Sequence, residues 1–219
     1  MKSPAQKFRE RALAKRQTAD DTPQDKAIAT AYEQQLMQLA VDKQRLKQIQ
    51  STEQKGHLKA ELVPNYFPWI KGVIASDAGH QDDVLMTVMV WAFDAGMWAV
   101  GLEMAGYAIQ HKLVMPDQYR RTTATVVAEE IADAAQRGAE VPLDELLYAL
   151  DLTASEDMPD EVRAKLHKAL GNALRDIERW ADAAAHYQRA LSLHPAAGCK
   201  KDLERAEREL KKAGGATAG

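Results

Sequence analysis

The chain has 219 residues, 46% of them apolar, with 29 basic and 32 acidic side chains and a formal charge of −3, enough to bury a core as one domain or two small ones. Cys199 is the only cysteine, which excludes an intrachain disulfide and a cysteine-built zinc site and points to a reducing compartment. Residues 1–20 are charged and lack the apolar core of a secretory signal, and the longest apolar run, Val84 to Val90, is too short to span a bilayer, so a soluble, cytoplasmic protein with no membrane partner is expected.

The opening segment, residues 1–22, carries Lys2, Lys7, Arg9, Arg11, Lys15 and Arg16 against the single Glu10 over its first 17 residues, a local balance of +5. Phe8 and Leu13 are its only large apolar residues, so it cannot bury itself and reads as a basic, flexible arm that orders on a partner. A net-acidic chain binds nucleic acid only through such a local patch.

From Pro23 to about Lys59 the pattern predicts one long helix, within a segment spanning 23–62. Pro23 suits a first turn, Asp20, Asp21 and Asp25 suit the positive end of the helix dipole, and no glycine intervenes before Gly56. Tyr32, Leu39 and Leu46 recur every seven residues, with Leu36 and Ile49 three residues to either side. That narrow stripe suits an oligomer seam, because Lys43 and Gln50 at the alternate seam positions make it marginal as a core face.

A helical body follows over 63–155. Pro64, Pro68 and Gly72 punctuate an apolar turn and a short helix, and Asp82 or Asp83 caps a nearly all-apolar helix reaching about Ala95. Gly96 links it to a helix over Met97–Lys112, and Pro116 ends the pair. Further helices are expected from Thr123 to Arg137, stopped at Gly138, and from Pro142 to about Thr153. No stretch shows the two-residue alternation of a strand.

Residues 156–213 carry a tetratricopeptide-like pattern: Leu170, Gly171, Asn172 and Ala173, then Trp180, Ala183, Tyr187, Ala190 and Leu191, closing at Pro195. Small residues at Gly171 and Ala190 let two helices approach while Trp180, Tyr187 and Leu191 fill the wedge. Shifting the pattern back by 82 residues lays Trp98 on Trp180, which makes the central pair a cousin of this hairpin. A charged helix over Lys200–Lys212 and a disordered tail over 214–219 complete an all-α chain.

For chemistry, the best local cluster is His80, Asp82 and Asp83. A nuclease centre needs two or three carboxylates converging on divalent metal, whereas an aspartate before an apolar helix has the simpler role of a cap. Pro159-Asp160 reads as a helix start, and the histidines at 57, 80, 111, 167, 186 and 194 show no ligand spacing along one helix. No glycine-rich phosphate loop or activated serine is present. No catalytic residue, metal or cofactor is therefore expected, with Mg2+ needed only if the chain is itself a nuclease. Arg120 and Arg121, ahead of Thr122 and Thr123, form a second basic point suited to phosphate contact. Asp144 to Glu161 holds seven acidic residues and no basic one, which suits a solvated surface, repulsion of DNA or docking of a basic partner.

Four separated segments, in order, resemble the small terminase subunit of temperate, contractile-tailed phages with cohesive genome ends. They are Ser3-Pro4-Ala5-Gln6, the run from Gln81 to Trp91, Arg120-Arg121-Thr122, and the run from Asp157 to Lys168. The resemblance spans residues 3 to about 212. It implies a ring-like homo-oligomer in the cytoplasm of the bacterial host that binds double-stranded phage DNA at the cohesive-end site. It also implies a partner, the large terminase subunit with the ATPase and usually the nuclease. Members of this family are often labelled the endonuclease subunit, which leaves a metal-dependent nuclease as one alternative. A tetratricopeptide-like protein scaffold without a DNA role is the other.

Overall fold

The computed structural model describes residues 23–116 and 121–216, with side chains described from residue 27 to residue 213 apart from 117–120. The basic segment, Arg120 and the last three residues lie outside that range. The described residues are helical throughout, apart from the turns that join the helices, with no strand among them. Among the described residues no helix is long and apolar enough to cross a membrane.

The chain divides into two compact units at Gln44 and Arg45. The first is described through α1 (Pro23–Lys47), whose last three residues fall in the second unit. Within the first unit Tyr32 and Leu36 are half-buried and Leu39 is buried, while Ile28, Met37 and Val41 are exposed. Gln38 donates to Asp42 one turn on.

The expected single helix to Lys59 is corrected here. α1 ends at Lys47, and α2 (Thr52–Leu62) starts afresh after the extended Ser51 (φ −67°, ψ 127°), whose hydroxyl accepts from the Gln54 amide. Ser51 competes with the helix for its own backbone and wins as an N-cap. Gly56 permits close packing: an added Cβ would lie 3.3 Å from the Asp94 carbonyl, and Lys59 pairs with the Asp94 side chain at 2.5 Å.

A 3-10 turn (Val63–Tyr66) leads into α3 (Phe67–Ser76). α4 (Asp83–Asp94) is the centre of the second unit; every side chain from Val84 to Phe93 is buried. That explains why its sequence shows no polar face. α5 (Trp98–Gln110) packs back on α4, with Gly101 against the Phe93 ring. α6 (Thr123–Gln136) and α7 (Leu143–Leu152) extend the layer and pack on α8 (Asp160–Asp176).

The hairpin of α8 and α9 (Trp180–Leu193), backed by α10 (Lys200–Ala216), has the expected packing. A Cβ on Gly171 would fall 2.6 Å from the Tyr187 ring, so glycine is what admits that ring. Tyr187 and Ala190 are fully buried, and the Tyr187 hydroxyl donates to Asn172 at 2.8 Å. Both α5 and α9 open on a tryptophan, Trp98 and Trp180, in keeping with the internal likeness. α10 continues through Ala216, so the first three residues of the expected tail belong to a helix.

Candidate nucleic-acid interface

The site grows out of the end of α5 and the start of α6. His111 closes α5, and Lys112 takes the left-handed conformation at φ 54°, turning the chain back so that Leu113 and Met115 are buried. At the other side Thr122 caps α6, its hydroxyl accepting from the Thr125 amide at 3.3 Å. The buried Thr123 hydroxyl donates to the Leu113 carbonyl at 2.6 Å and clamps the two sides together.

Between them lies a cleft of about 440 Å3 lined by Lys112, Arg121, Thr122 and Glu156 and by the apolar Ile109, Leu113 and Met115. Lys112 and Arg121 are exposed. Arg121 is ion-paired with Glu129, and Lys165 shares that glutamate and Asp133. The half-exposed pair between Arg121 and Glu129 is weak in water. The positive end of α6 opens on the same side.

The loop before α4 is strapped to the same region. Gln81 exchanges two hydrogen bonds with Val114, both 2.9 Å, as a strand partner would. His111 Nε2 meets Asp77 at 2.7 Å, and the Gly79 amide donates to the Tyr107 hydroxyl at 3.0 Å. Gly79 takes φ 66°, and a Cβ there would collide with the His111 ring at 2.6 Å.

Of the His80, Asp82 and Asp83 cluster, the structure gives Asp82 a complete structural role. Its side chain is 5% exposed, one oxygen accepts from the Leu85 amide at 2.8 Å and the other from Trp69 Nε1 at 2.9 Å. Burial pushes its carboxyl above the usual range, against the pull of those bonds. Asp83 sits in the first turn of α4 and accepts from Gln81, and His80 is exposed. No group of three or more side chains able to hold a metal ion occurs among the described residues.

The acidic stretch divides into helix starts. Asp144 and Glu145 occupy the first turn of α7, and Asp160 and Glu161 that of α8, where negative charge suits the dipole. Between them Arg163 closes the turn by donating to the Thr153 and Glu156 carbonyls.

The sequence pointed to Asp82 and Thr122 as helix caps and to Arg121 beside the latter, but not to Lys112, Gln81 or the Asp77–His111 pair. Lys112 gave no signal, because a left-handed lysine is set by the turn it closes. Gln81 lay inside the recognised Gln81-to-Trp91 run, where its bonding to Val114 had no local pattern. Two histidines also meet unexpectedly, His167 and His186, from facing helices of the hairpin.

The phage small terminase subunit family matches residues 36–161 of the chain. The "Terminase, endonuclease subunit" of Escherichia phage P2 is 48% identical over 215 residues, covering 96% of this chain and 87% of that protein. No solved structure matches.

Proposed function

This chain belongs to the phage small terminase subunit family, with the packaging role which that carries, and we propose that it binds the cohesive-end site of phage DNA as a homo-oligomer. Bound there, it presents the DNA to the large subunit, which supplies the ATPase and nuclease, and packaging begins. The observation that carries this reading is the pair of exposed cations, Lys112 and Arg121, beside the Thr122 cap at a helix N-terminus. The six cations at Lys2, Lys7, Arg9, Arg11, Lys15 and Arg16 add phosphate contacts, with Arg120 beside Arg121. Lys112 and Arg121 position the duplex; neither is placed as a base reader.

Self-association gives several such surfaces to one DNA, which raises their joint affinity by effective concentration. Of the stripe proposed as the seam, Tyr32, Leu36 and Ile49 are half-buried and Leu39 and Leu46 are buried within the protomer; the exposed Met37 and Val41, on the opposite face of the same helix, offer a second apolar contact. No cofactor is needed for this role.

The test is a titration of purified protein against cohesive-end and scrambled duplexes at two salt concentrations. Preference for the cohesive-end duplex supports the reading, and equal affinity for both at either salt defeats it. The name of the P2 relative favours a second reading, in which the chain itself cuts the site with Mg2+. Cohesive-end plasmid incubated with pure protein and Mg2+ or Mn2+ separates the two, since only a nuclease nicks it without the large subunit. The scaffold alternative is left with binding of a protein and none of DNA.

A further inference from the structure

We propose that the outer face of α7 docks the basic segment, residues 1–17, of a second copy of the chain. Asp144, Leu147, Tyr148 and Asp151 recur at helical spacing and are all exposed, while Leu146 and Ala149 on the other side of the helix are buried. The exposed stripe thus runs from a carboxylate over two large apolar side chains to a second carboxylate. Leu147 is 38% and Tyr148 45% exposed, an apolar pair left open to water.

The face continues onto α5, which packs beside α7. A Cβ on Gly106 would lie 3.2 Å from the Tyr148 hydroxyl, so Tyr148 leans over a point of α5 that carries no side chain. Glu103, one turn before Gly106, is exposed and adds a third carboxylate on that side of α5. Asp94, Glu129 and Asp133 are each held in an ion pair. Glu103, Asp144 and Asp151 have no such partner among the described residues. From Asp144 to Glu161 there are seven carboxylates and no basic side chain, so nothing in that stretch neutralises them.

An apolar pair framed by free carboxylates is complementary to a segment that sets large apolar side chains among cations. Residues 1–17 have that composition: six cations against the single Glu10, with Phe8 and Leu13 between them. No stretch of that length elsewhere in the chain is as basic. The 22 residues before Pro23 span at most about 75 Å when fully extended, which is enough to reach a neighbouring copy. Each copy gives one segment and receives one, a head-to-tail contact of the kind that closes into rings. That the occupant is a second copy rests on the self-association proposed above; the contact itself needs no DNA.

The experiment uses the full chain carrying Phe8→p-benzoylphenylalanine, irradiated without DNA and resolved by denaturing gel and peptide mass spectrometry. The expected product has twice the chain mass, with the cross-link in residues 143–152 or beside Gly106. Asp144→Asn with Asp151→Asn should lower its yield at least about threefold, as the loss of two exposed charge pairs allows, and added salt should act in the same direction. Leu147→Ser with Tyr148→Ser should lower it independently of charge. All four side chains are exposed, and circular dichroism checks that each variant stays folded; if one double variant does not, the other and the salt series decide. Light scattering on the same samples keeps the two readings apart. An oligomer whose cross-links fall elsewhere, or whose yield ignores both double variants, overturns this contact alone. A monomer without cross-links overturns the self-association as well. A cross-link to α7 within a single chain mass would replace the second copy by the chain's own segment and overturn the assignment.

Discussion

Asp82 does three things with one carboxylate: it opens α4, holds Trp69 and is itself buried. Asp82→Ala removes a cap, worth about 1 kcal/mol, and leaves the Trp69 N–H without its acceptor, which costs about 1–3 kcal/mol more if it stays buried. Thermal melting should therefore show a clear loss, with Asp83→Ala nearer wild type. The pH dependence has a definite sign. The folded-state pKa of Asp82 is raised, so the folded form holds its proton longer than the unfolded chain. Its contribution to stability is greatest below the unfolded pKa and is lost as pH rises through the folded one. The melting-temperature advantage of wild type over Asp82→Asn should thus shrink from acid towards neutral pH. An advantage that grows with pH would show that the hydrogen bonds outweigh burial. The cap was legible because an aspartate before an apolar run has few other uses, but Trp69 as its second partner was not, since that contact depends on how α3 lies against α4.

The helices themselves were written largely in punctuation. Gly96, Pro116, Gly138, Pro142 and Pro159 each sit at a boundary, and Gly96 and Gly138 take φ 72° and 88°. The break at 48–51 was missed because Gln48, Ile49 and Gln50 hold neither glycine nor proline, and Ser51 is an ordinary residue inside a helix until its hydroxyl bonds Gln54. The hairpin was legible through volume: a glycine opposite a tyrosine. Gly171→Ala should cost about 1–3 kcal/mol by overpacking against Tyr187, and Tyr187→Phe should be tolerated better at the ring but lose the bond to Asn172. Denaturant midpoints of the two variants measure this. A Gly171→Ala midpoint equal to wild type would mean that the hairpin relaxes freely. Along α1, Met37 and Val41 lie one turn apart and exposed, so Met37→Asp with Val41→Asp tests assembly at little expense to the fold. Lower mass in light scattering with unchanged helicity is expected, and unchanged mass would place the seam elsewhere. Leu39→Asp with Leu46→Asp should lower mass too, but with a loss of stability, because both leucines are buried.

Charge is distributed unevenly over the molecule. Residues 1–59 hold 12 basic and 7 acidic side chains, and residues 60–219 hold 17 and 25, so the two stretches carry net charges of +5 and −8. A uniformly acidic chain would repel DNA along its whole length; on the reading proposed above, DNA would be drawn towards the basic N-terminal stretch, with Lys112 and Arg121 as two cations within the acidic remainder. If about four of the six cations in residues 1–17 contact phosphates, each engaged segment adds roughly −3.6 to the slope of log affinity against log salt, at about −0.9 per contact. Deleting residues 1–17 should flatten the slope by that amount and weaken cohesive-end and scrambled duplexes alike. Lys112→Gln with Arg121→Gln should remove at most about two contacts, a change of roughly 1.8, which adds to the deletion when the two sites act independently. Parallel salt titrations of the four proteins separate the cases. An unchanged slope in the deletion, with a large change in the double variant, would move the DNA path to the α5–α6 cleft; the reverse would leave the cleft a minor contact and the N-terminal segment the source of the electrostatic affinity.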